Sequence, residues 1–375
     1  MRIALVTDTY LPEVNGVTTV LATMRDGLRR RGHVVQVIAP EYDRPGPDES
    51  DVVRRPSIAF PPYPAIRLSR PWGGDVSRAL SRSRPEVIHV ATEGPIGRLG
   101  RRYAVDTAVP LVTSFHTDFP RYAGRYLGHW AVEPTRNYLR AFHRPALVTQ
   151  TPSSATRDEL LAMGIPQAVV WGHGVDTTLF TPARRSDQRR AELGAAGRML
   201  VLHVGRLSKE KDTATLVESF RRAEAVLGDA ATFCVAGDGP EAAAVRNALP
   251  RANHLGFIDR VVLADLYADA DLFVFPSPTE TCGLVALEAM AAGVPVIGAA
   301  AGGIIENVRH GINGLVVAPG NALEFAGAIT ALAADPARRG AMSAAARAFA
   351  VARDWERELD RLEPMYREAV ALAAA

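Results

Sequence analysis

Short apolar runs alternate with longer amphipathic segments along this 375-residue chain. Runs of this kind are typical of strands buried on both faces, and apolar residues at helical spacing predict helices between them. The alternation therefore predicts an α/β protein built from βα units around parallel sheets. The predicted strands are Ile3–Val6, Val34–Ala39, Val87–Val90, Leu111–Phe115, Ala146–Gln150, Leu200–Gly205, Thr232–Ala236, Leu272–Phe275, Val294–Gly298 and Leu315–Val317.

The pattern repeats in two halves, which predicts two Rossmann-like, doubly wound parallel-sheet domains. We place the first at residues 1–176 and the second at residues 199–352. Residues 177–198 break the periodicity, contain Pro182 and are predicted to form a linker that acts as a hinge. Residues 353–375 form a further amphipathic helix, which we expect to pack back onto the first domain.

Composition narrows the class of protein. Hydrophobic residues make up 47% of the chain and charged residues 22%, as in ordinary globular proteins. No apolar run is long enough to span a membrane, and we expect no N-terminal targeting segment, so a cytoplasmic protein is predicted. Residues 1–175 carry 22 arginines against 16 acidic residues, which suits peripheral contact with the inner face of an anionic membrane but is too dilute for nucleic acid.

The chain has only two lysines, Lys209 and Lys211, although it has 41 arginines. Both follow the predicted strand Leu200–Gly205 and stand close to Arg206. Ligands in open α/β sheets bind beyond the carboxyl ends of strands, and helix starts there bind phosphate. Arg206 and Lys211 are therefore candidate phosphate ligands.

The segment after strand Leu272–Phe275 is the most informative candidate site. Gly283 precedes a predicted helix whose first amides have no partner within the helix and carry its positive dipole end. These amides suit a diphosphate, and Gly283 has no side chain to block its approach. Glu280 and Glu288 flank the site, where carboxylates are suited to accept hydrogen bonds from sugar hydroxyls.

Two positions in the first half follow strands in the same way. Gly16 lies in the loop after the first strand, where it lets a ligand approach the backbone, and His116 follows the strand ending at Phe115. His173 is interpreted as a hinge residue. Asp269-Ala270-Asp271 has the spacing of a metal-binding motif, but it precedes a strand and is interpreted as surface.

Glu280-x7-Glu288 together with Gly205-Arg206-x4-Lys211 resembles the donor site of the family 4 retaining glycosyltransferases of the GT-B fold. The similarity extends over the chain, through Thr-Asp-Thr-Tyr-Leu-Pro-Glu-Val-Asn-Gly-Val, Ser-Phe-His-Thr, Gly-Val-Asp, Val-Ala-Gly-Asp-Gly-Pro and Leu-Glu-Ala-Met-Ala-Ala-Gly-Val-Pro-Val. It is strongest for bacterial mannosyltransferases that use GDP-mannose and for related lipid glycosyltransferases. The resemblance implies two domains facing each other across a cleft.

The resemblance also implies roles for these residues. Glu280 would contact the donor hexose, Glu288 the ribose, Arg206 and Lys211 the diphosphate, and His116 the reacting sugar. Base recognition is expected from backbone groups of the loop that contains Ile258. The family often has Phe where this chain has Cys282, which predicts a sugar pocket whose wall packs less closely around the sugar. The implied donor-binding residues are Gly16, Arg206, Lys211, Ile258, Glu280, Cys282, Gly283, Leu284, Val285 and Glu288, and the implied catalytic residues are His116, Glu280, Arg206 and Lys211.

The expected activity is metal-independent transfer of a hexose, with retained configuration, to a hydroxyl of a lipid or carbohydrate acceptor. Same-face attack with the leaving phosphate as base is favoured over a carboxylate nucleophile, for which Asp118 is the one candidate. Two alternatives remain open: a UDP-hexose donor, and a nucleotide-sugar-binding protein without turnover. Tyr122, Tyr126 and Trp130 are either a core stripe or an apolar patch on the acceptor side.

Overall fold

A computed structural model describes residues 1–44, 46, 50–60 and 63–374 of the chain. The chain forms two compact units. Residues 1–173 and 355–375 belong to the first, and residues 174–354 to the second. Among the described residues, no helix is both long enough and apolar enough to cross a bilayer.

The first unit is a parallel sheet with helices between its strands. The sheet has the order β3-β2-β1-β6-β7-β8-β9, and β4 and β5 form a separate antiparallel pair. The elements of residues 1–173 are β1 (Arg2–Val6), α1 (Gly16–Arg30), β2 (Val34–Pro40), β3 (Val52–Arg55), β4 (Ser57–Phe60), β5 (Tyr63–Ser69), α2 (Asp75–Ser83), β6 (Val87–Val90), α3 (Pro95–Thr107), β7 (Leu111–Ser114), α4 (Phe119–Tyr126), α5 (Val132–His143), β8 (Val148–Thr151), α6 (Ser154–Ala162) and β9 (Ala168–Val170).

The second unit is a six-stranded parallel sheet of order β12-β11-β10-β13-β14-β15. Its central strand β10 is buried along its whole length, as a strand covered by helices on both faces must be. The elements of this unit are α7 (Asp187–Glu192), β10 (Met199–Val204), α8 (Thr213–Leu227), β11 (Ala231–Ala236), α9 (Ala242–Ala248), β12 (Asn253–Gly256), α10 (Arg260–Asp269), β13 (Leu272–Phe275), α11 (Leu284–Ala291), β14 (Val296–Ala299), α12 (Ile304–Asn307), β15 (Gly314–Val317), α13 (Ala322–Ala334) and α14 (Pro336–Val351).

The prediction of two doubly wound α/β units is confirmed, and each predicted strand is present with its ends shifted by at most about two residues. Sequence reasoning missed several short or edge elements. Among them are the edge strands β3, β9 and β12, the β4–β5 pair and helix α4. These elements are too short, or too exposed on one side, to carry a long apolar run.

Residues 177–198 do not form a free linker. Pro182–Arg184 forms a 3₁₀ turn that packs with α7 against α10, inside the second unit. Arg184 binds Asp265 at 2.7 Å, and Arg189 binds Asp269 at 2.7 Å. The chain instead crosses between the units at 173/174 and 354/355.

The same contacts correct the interpretation of Asp269 and Asp271 as surface residues. Asp269 is only 1% exposed, and its carboxylate also accepts the backbone amide of Ser186 at 2.7 Å. Asp271 pairs with Arg185 and Arg190. The two carboxylates thus fix the segment before β10 onto α10, which explains why arginines are frequent in that segment.

The final helix, α15 (Trp355–Ala374), belongs to the first unit and packs on α1. Its Tyr366 hydroxyl lies 2.6 Å from Nδ1 of His89, whose Nε2 lies 2.6 Å from the Ser114 hydroxyl. Arg31, just after α1, binds Glu356 and Glu363. Ion pairs with α15 therefore occupy Arg31, the last of three consecutive arginines at residues 29–31.

Candidate active site

The two loops predicted to bind phosphate and sugar follow neighbouring strands of the second sheet. Strand β10 pairs with β13, with Val201 opposite Leu272. The chain leaves β10 toward β11 on one side and returns to β13 on the other, so the strand order reverses between them. Crevices at such reversals are where open α/β sheets bind ligands.

Lys211 and Glu280 are brought into direct contact by these loops. The Lys211 ammonium donates to Oε1 of Glu280, and the buried Ser277 hydroxyl donates to the same oxygen at 2.9 Å. Thr279 ties the loops together by donating to the Glu210 carbonyl at 3.0 Å. A carboxylate would repel a neighbouring phosphate, and Lys211 offsets that repulsion.

The loop after β11 supports the Arg206 loop by backbone contact. Leu207 donates its amide to the Asp238 carbonyl at 2.9 Å. A Cβ at Gly237 would lie 1.9 Å from the Gly205 carbonyl oxygen, so no larger residue fits there. The Gly-Asp-Gly-Pro motif thus shapes the Arg206 loop, a role that sequence reasoning did not assign.

The loop after β14 supports Glu280 from the other side. Gly303 donates its amide to the Glu280 carbonyl at 2.8 Å. Gly302 has a φ of +53°, and a Cβ there would lie 2.1 Å from the same carbonyl oxygen. Sequence reasoning missed both residues, although paired glycines directly after a buried strand are a signal of close backbone approach.

Helix α11 begins directly beside this support. Gly283 adopts a φ of +76° at the N-cap, and among the described residues no side chain caps the helix. Leu284 and Val285 at its first turn are half-buried. Cys282 is buried in the core of this unit, and its carbonyl accepts the Asn307 amide at 2.7 Å.

Glu288 lies one turn into α11 and is 9% exposed. Burial raises its pKa to about 7, while the nearby Arg260 and the Tyr267 hydroxyl lower it. The Arg260 guanidinium lies 3.5 Å from the carboxylate. Ile258 is half-buried just before α10 and packs against the core of this unit, which leaves its backbone as the group able to bind a ligand.

In the first unit, His116 lies just beyond β7 in a cluster of rings. Its ring centroid is 5.4 Å from that of His173, which in turn stacks on Trp355 at 6.3 Å and 23°. Burial lowers the pKa of His116 to about 4, so its imidazole is neutral at pH 7. His173 is the last residue before the first crossing between units, and it contacts the first residue after the second crossing.

Gly16 and Asp118 occupy the starts of two helices in this unit. Gly16 is exposed at the first position of α1, where Asn15 and Thr18 form a capping box. The Asp118 carboxylate accepts the Arg121 amide at 3.0 Å and caps α4. That capping role accounts for Asp118 without a nucleophilic function.

Asp8 is a half-buried residue whose carboxyl sequence reasoning overlooked. It follows β1 and accepts the amides of Ile96 at 2.7 Å and Gly97 at 3.2 Å, at the start of α3. Burial raises its pKa to about 6 despite these bonds and one from Thr92. Its position directly after an apolar strand was the available signal.

Two of the three aromatic residues of the predicted stripe, Tyr126 and Trp130, are exposed and Tyr122 is half-buried, so the interpretation as a core stripe is wrong. Trp130 is 74% exposed and Leu127 62%, and Phe119 and Tyr126 are also exposed. We refer to these four residues as the α4 patch. Arg121 and Arg125 of the same helix are exposed as well. Within the parts of the chain that the structure describes, no group of three or more His, Cys, Asp or Glu residues could hold a metal ion.

Comparison with known proteins identifies two matching family models. Residues 14–179 match Glycosyltransferase Family 4, and residues 185–349 match Glycosyl transferases group 1. The GDP-mannose-dependent alpha-mannosyltransferase of Mycolicibacterium smegmatis is 35% identical over 96% of each chain. A GDP-mannose-dependent alpha-(1-6)-phosphatidylinositol dimannoside mannosyltransferase of Mycobacterium tuberculosis is 30% identical over 79% of each chain. The sucrose-phosphate synthase structure from Thermosynechococcus elongatus matches all of both chains with a TM-score of 0.79 and 22% identity.

Proposed function

Because the chain belongs to the family 4 glycosyltransferases and has the GT-B fold, we propose that it transfers mannose from GDP-mannose to a hydroxyl of a lipid acceptor. The contact between Lys211 and Glu280 carries the proposal for the site. It places a cation suited to a diphosphate against a carboxylate suited to sugar hydroxyls, beside an uncapped helix start. The relatives' dependence on GDP-mannose supports the choice of donor.

In the proposed complex the diphosphate binds Arg206, Lys211 and the amides of Leu284 and Val285. These groups stabilise the negative charge that develops on the leaving diphosphate. Glu280 accepts a hydroxyl of the hexose and Glu288 accepts the ribose hydroxyls. The Ile258 backbone recognises the base.

The proposed reaction retains the anomeric configuration. The C1–O bond to the phosphate breaks, the acceptor oxygen bonds to C1 on the same face, and the hydroxyl proton passes to the departing diphosphate. The capping role of Asp118 supports this route over a carboxylate nucleophile. His116, neutral at pH 7, would contact the reacting sugar as a hydrogen-bonding group, and Gly16 would face the phosphate.

We further propose that the α4 patch contacts an anionic membrane that holds the acceptor. Exposed aromatic and aliphatic side chains next to Arg121 and Arg125 suit the interface of such a membrane. Vesicle sedimentation tests this proposal. Leu127→Ser with Trp130→Ser should abolish binding to phosphatidylglycerol vesicles, whereas Trp72→Ser, at another exposed tryptophan of the first unit, should not. Equal effects of the two changes would contradict it.

A donor screen tests the function itself. The purified protein is incubated with GDP-mannose, UDP-glucose and other nucleotide sugars, together with lipid acceptors, and released nucleotide is measured. GDP release that depends on the acceptor is expected to dominate. Dominant UDP release would favour the UDP-hexose alternative, and binding without release would favour a nucleotide-sugar-binding protein. The anomeric configuration of the product, read by NMR, checks retention.

A further inference from the structure

Arg260, the first residue of α10, contacts the turn at residues 176–180 of the second unit. Its guanidinium lies 5.1 Å above the ring of Phe180, which is fully buried. Burial raises the pKa of the Asp176 carboxyl, but hydrogen bonds from Leu179 and Thr178 and the nearby Arg260 guanidinium lower it overall. Arg260 is therefore placed by the turn at Asp176–Phe180 as well as by its own helix.

From this position Arg260 reaches Glu288, with Nη1 3.5 Å from Oε1. The Glu288 side chain is 11% exposed and the Arg260 side chain 36%, so the cation is partly solvated while the carboxyl is not. A buried carboxyl that loses its charge becomes a hydrogen-bond donor at one oxygen. It then no longer offers a charged acceptor oxygen to each of two hydroxyls.

We propose that Arg260 is a positioning residue that keeps Glu288 ionised and oriented to accept the two hydroxyls of the donor's ribose. The inference rests on the proposed function in assigning the ribose to Glu288. It goes beyond that function because Arg260 acts through Glu288 and sets the pH range of donor binding.

The other groups that face Glu288 do not supply this charge. Burial raises its pKa to about 7, and among the described groups Arg260 and the buried, neutral Tyr267 lower it. Of the neighbouring elements, α10 also carries Asp265 and Asp269, which pair with Arg184 and Arg189. Helix α14 carries Arg347, whose guanidinium binds the Ala291 and Phe180 carbonyls, and α12 carries Glu306. Strands β13 and β14 carry no charged residue.

Calorimetric titration with GDP between pH 5.5 and 9 tests the proposal. For the wild-type protein, affinity should fall as the pH drops through about 7, because binding favours ionised Glu288. Arg260→Gln should move that midpoint upward by roughly one pH unit, which weakens binding by up to about tenfold near neutral pH. At pH 9 the two proteins should bind GDP equally, and Arg260→Lys should keep the wild-type midpoint.

Two controls separate positioning from direct contact. With 2′,3′-dideoxy-GDP the difference between wild type and Arg260→Gln should vanish at every pH, although the diphosphate is unchanged. Arg251→Gln, at an exposed ion pair of the same unit, should have no effect. An equal loss of GDP affinity at all pH values would overturn the proposal, since it would mean that Arg260 binds the nucleotide itself.

A measurement without ligand keeps this inference distinct from the proposed function. Carboxyl ¹³C titration of the ligand-free protein should show a higher Glu288 pKa in Arg260→Gln than in wild type. An unchanged pKa would overturn the inference even if GDP-mannose is the donor. A raised pKa without turnover of any nucleotide sugar would uphold the effect of Arg260 on Glu288 but would contradict the proposed enzymatic function.

Discussion

Replacing Lys211 with Ala should weaken GDP binding far more than replacing Lys209 with Ala. The two lysines are the only ones in the chain and lie two residues apart in one loop. Lys211 contacts Glu280 and is 20% exposed, whereas Lys209 is exposed to solvent. Lys209→Ala is therefore a matched control that removes the same charge from the same loop without touching the proposed site.

The size of the effect follows from the contact that is lost. A charge-assisted hydrogen bond to phosphate is worth roughly 1.5–3 kcal/mol, or about 10- to 150-fold in Kd. Lys211→Ala also leaves Glu280, only 13% exposed, without the ammonium that offsets its charge. The remaining carboxylate then repels the diphosphate, so the loss should lie toward the upper end of this range.

Calorimetry with GDP tests this prediction, and a double variant separates the loss of the Lys211 contact from the repulsion by Glu280. Lys211→Ala with Glu280→Gln removes the repelling carboxylate, so it should bind GDP more tightly than Lys211→Ala alone. Equal affinities of Lys211→Ala and Lys209→Ala would refute the phosphate-loop assignment. A double variant no better than the single one would refute the repulsion between Glu280 and the diphosphate.

Three further predictions concern stability and catalysis. Gly302→Ala should reduce turnover by displacing Glu280, whereas Gly320→Ala, also at positive φ but with open space around it, should leave turnover unchanged in the same assay. Activity should survive EDTA, because cations and amides are proposed to hold the diphosphate, and restoration by added Mg²⁺ after a loss would contradict this. Burial lowers the pKa of His89 to about 3 and of His203 to about 4, whereas unfolded histidine titrates near 6.5. The unfolded state therefore binds protons first as the pH falls below about 6.5, and each residue should lower the free energy of unfolding by about 2 kcal/mol at pH 5 relative to pH 7.5. Denaturant titrations at the two pH values measure this, and equal stabilities would contradict it.

The two-sheet architecture was predictable because its central strands are buried on both faces and read as continuous apolar runs. Strand Leu272–Phe275 was placed without error for this reason. The segment at residues 177–198 was misread because it is held partly by ion pairs with Asp269 and Asp271, which produce no apolar periodicity in the sequence.

The candidate site was predictable where a residue directly follows a strand, as for Arg206 and His116. What the sequence did not reveal are the long-range contacts that support these residues. Gly302 lies against the backbone of Glu280, which is 22 residues earlier in the sequence, and Arg260 reaches Glu288 from another helix. Such pairs are set by the packing of neighbouring loops, which no local pattern encodes.

The rate of acceptor-dependent GDP release from GDP-mannose, compared between wild type and Glu280→Gln, tests the central claim most directly. Wild type should release GDP, and Glu280→Gln should bind GDP at least as tightly as wild type while transfer falls by roughly 10- to 150-fold, because the charge-assisted contact of the carboxylate with the sugar is lost while the diphosphate ligands remain. Transfer by Glu280→Gln at the wild-type rate, or no release of GDP by wild type, would contradict the account.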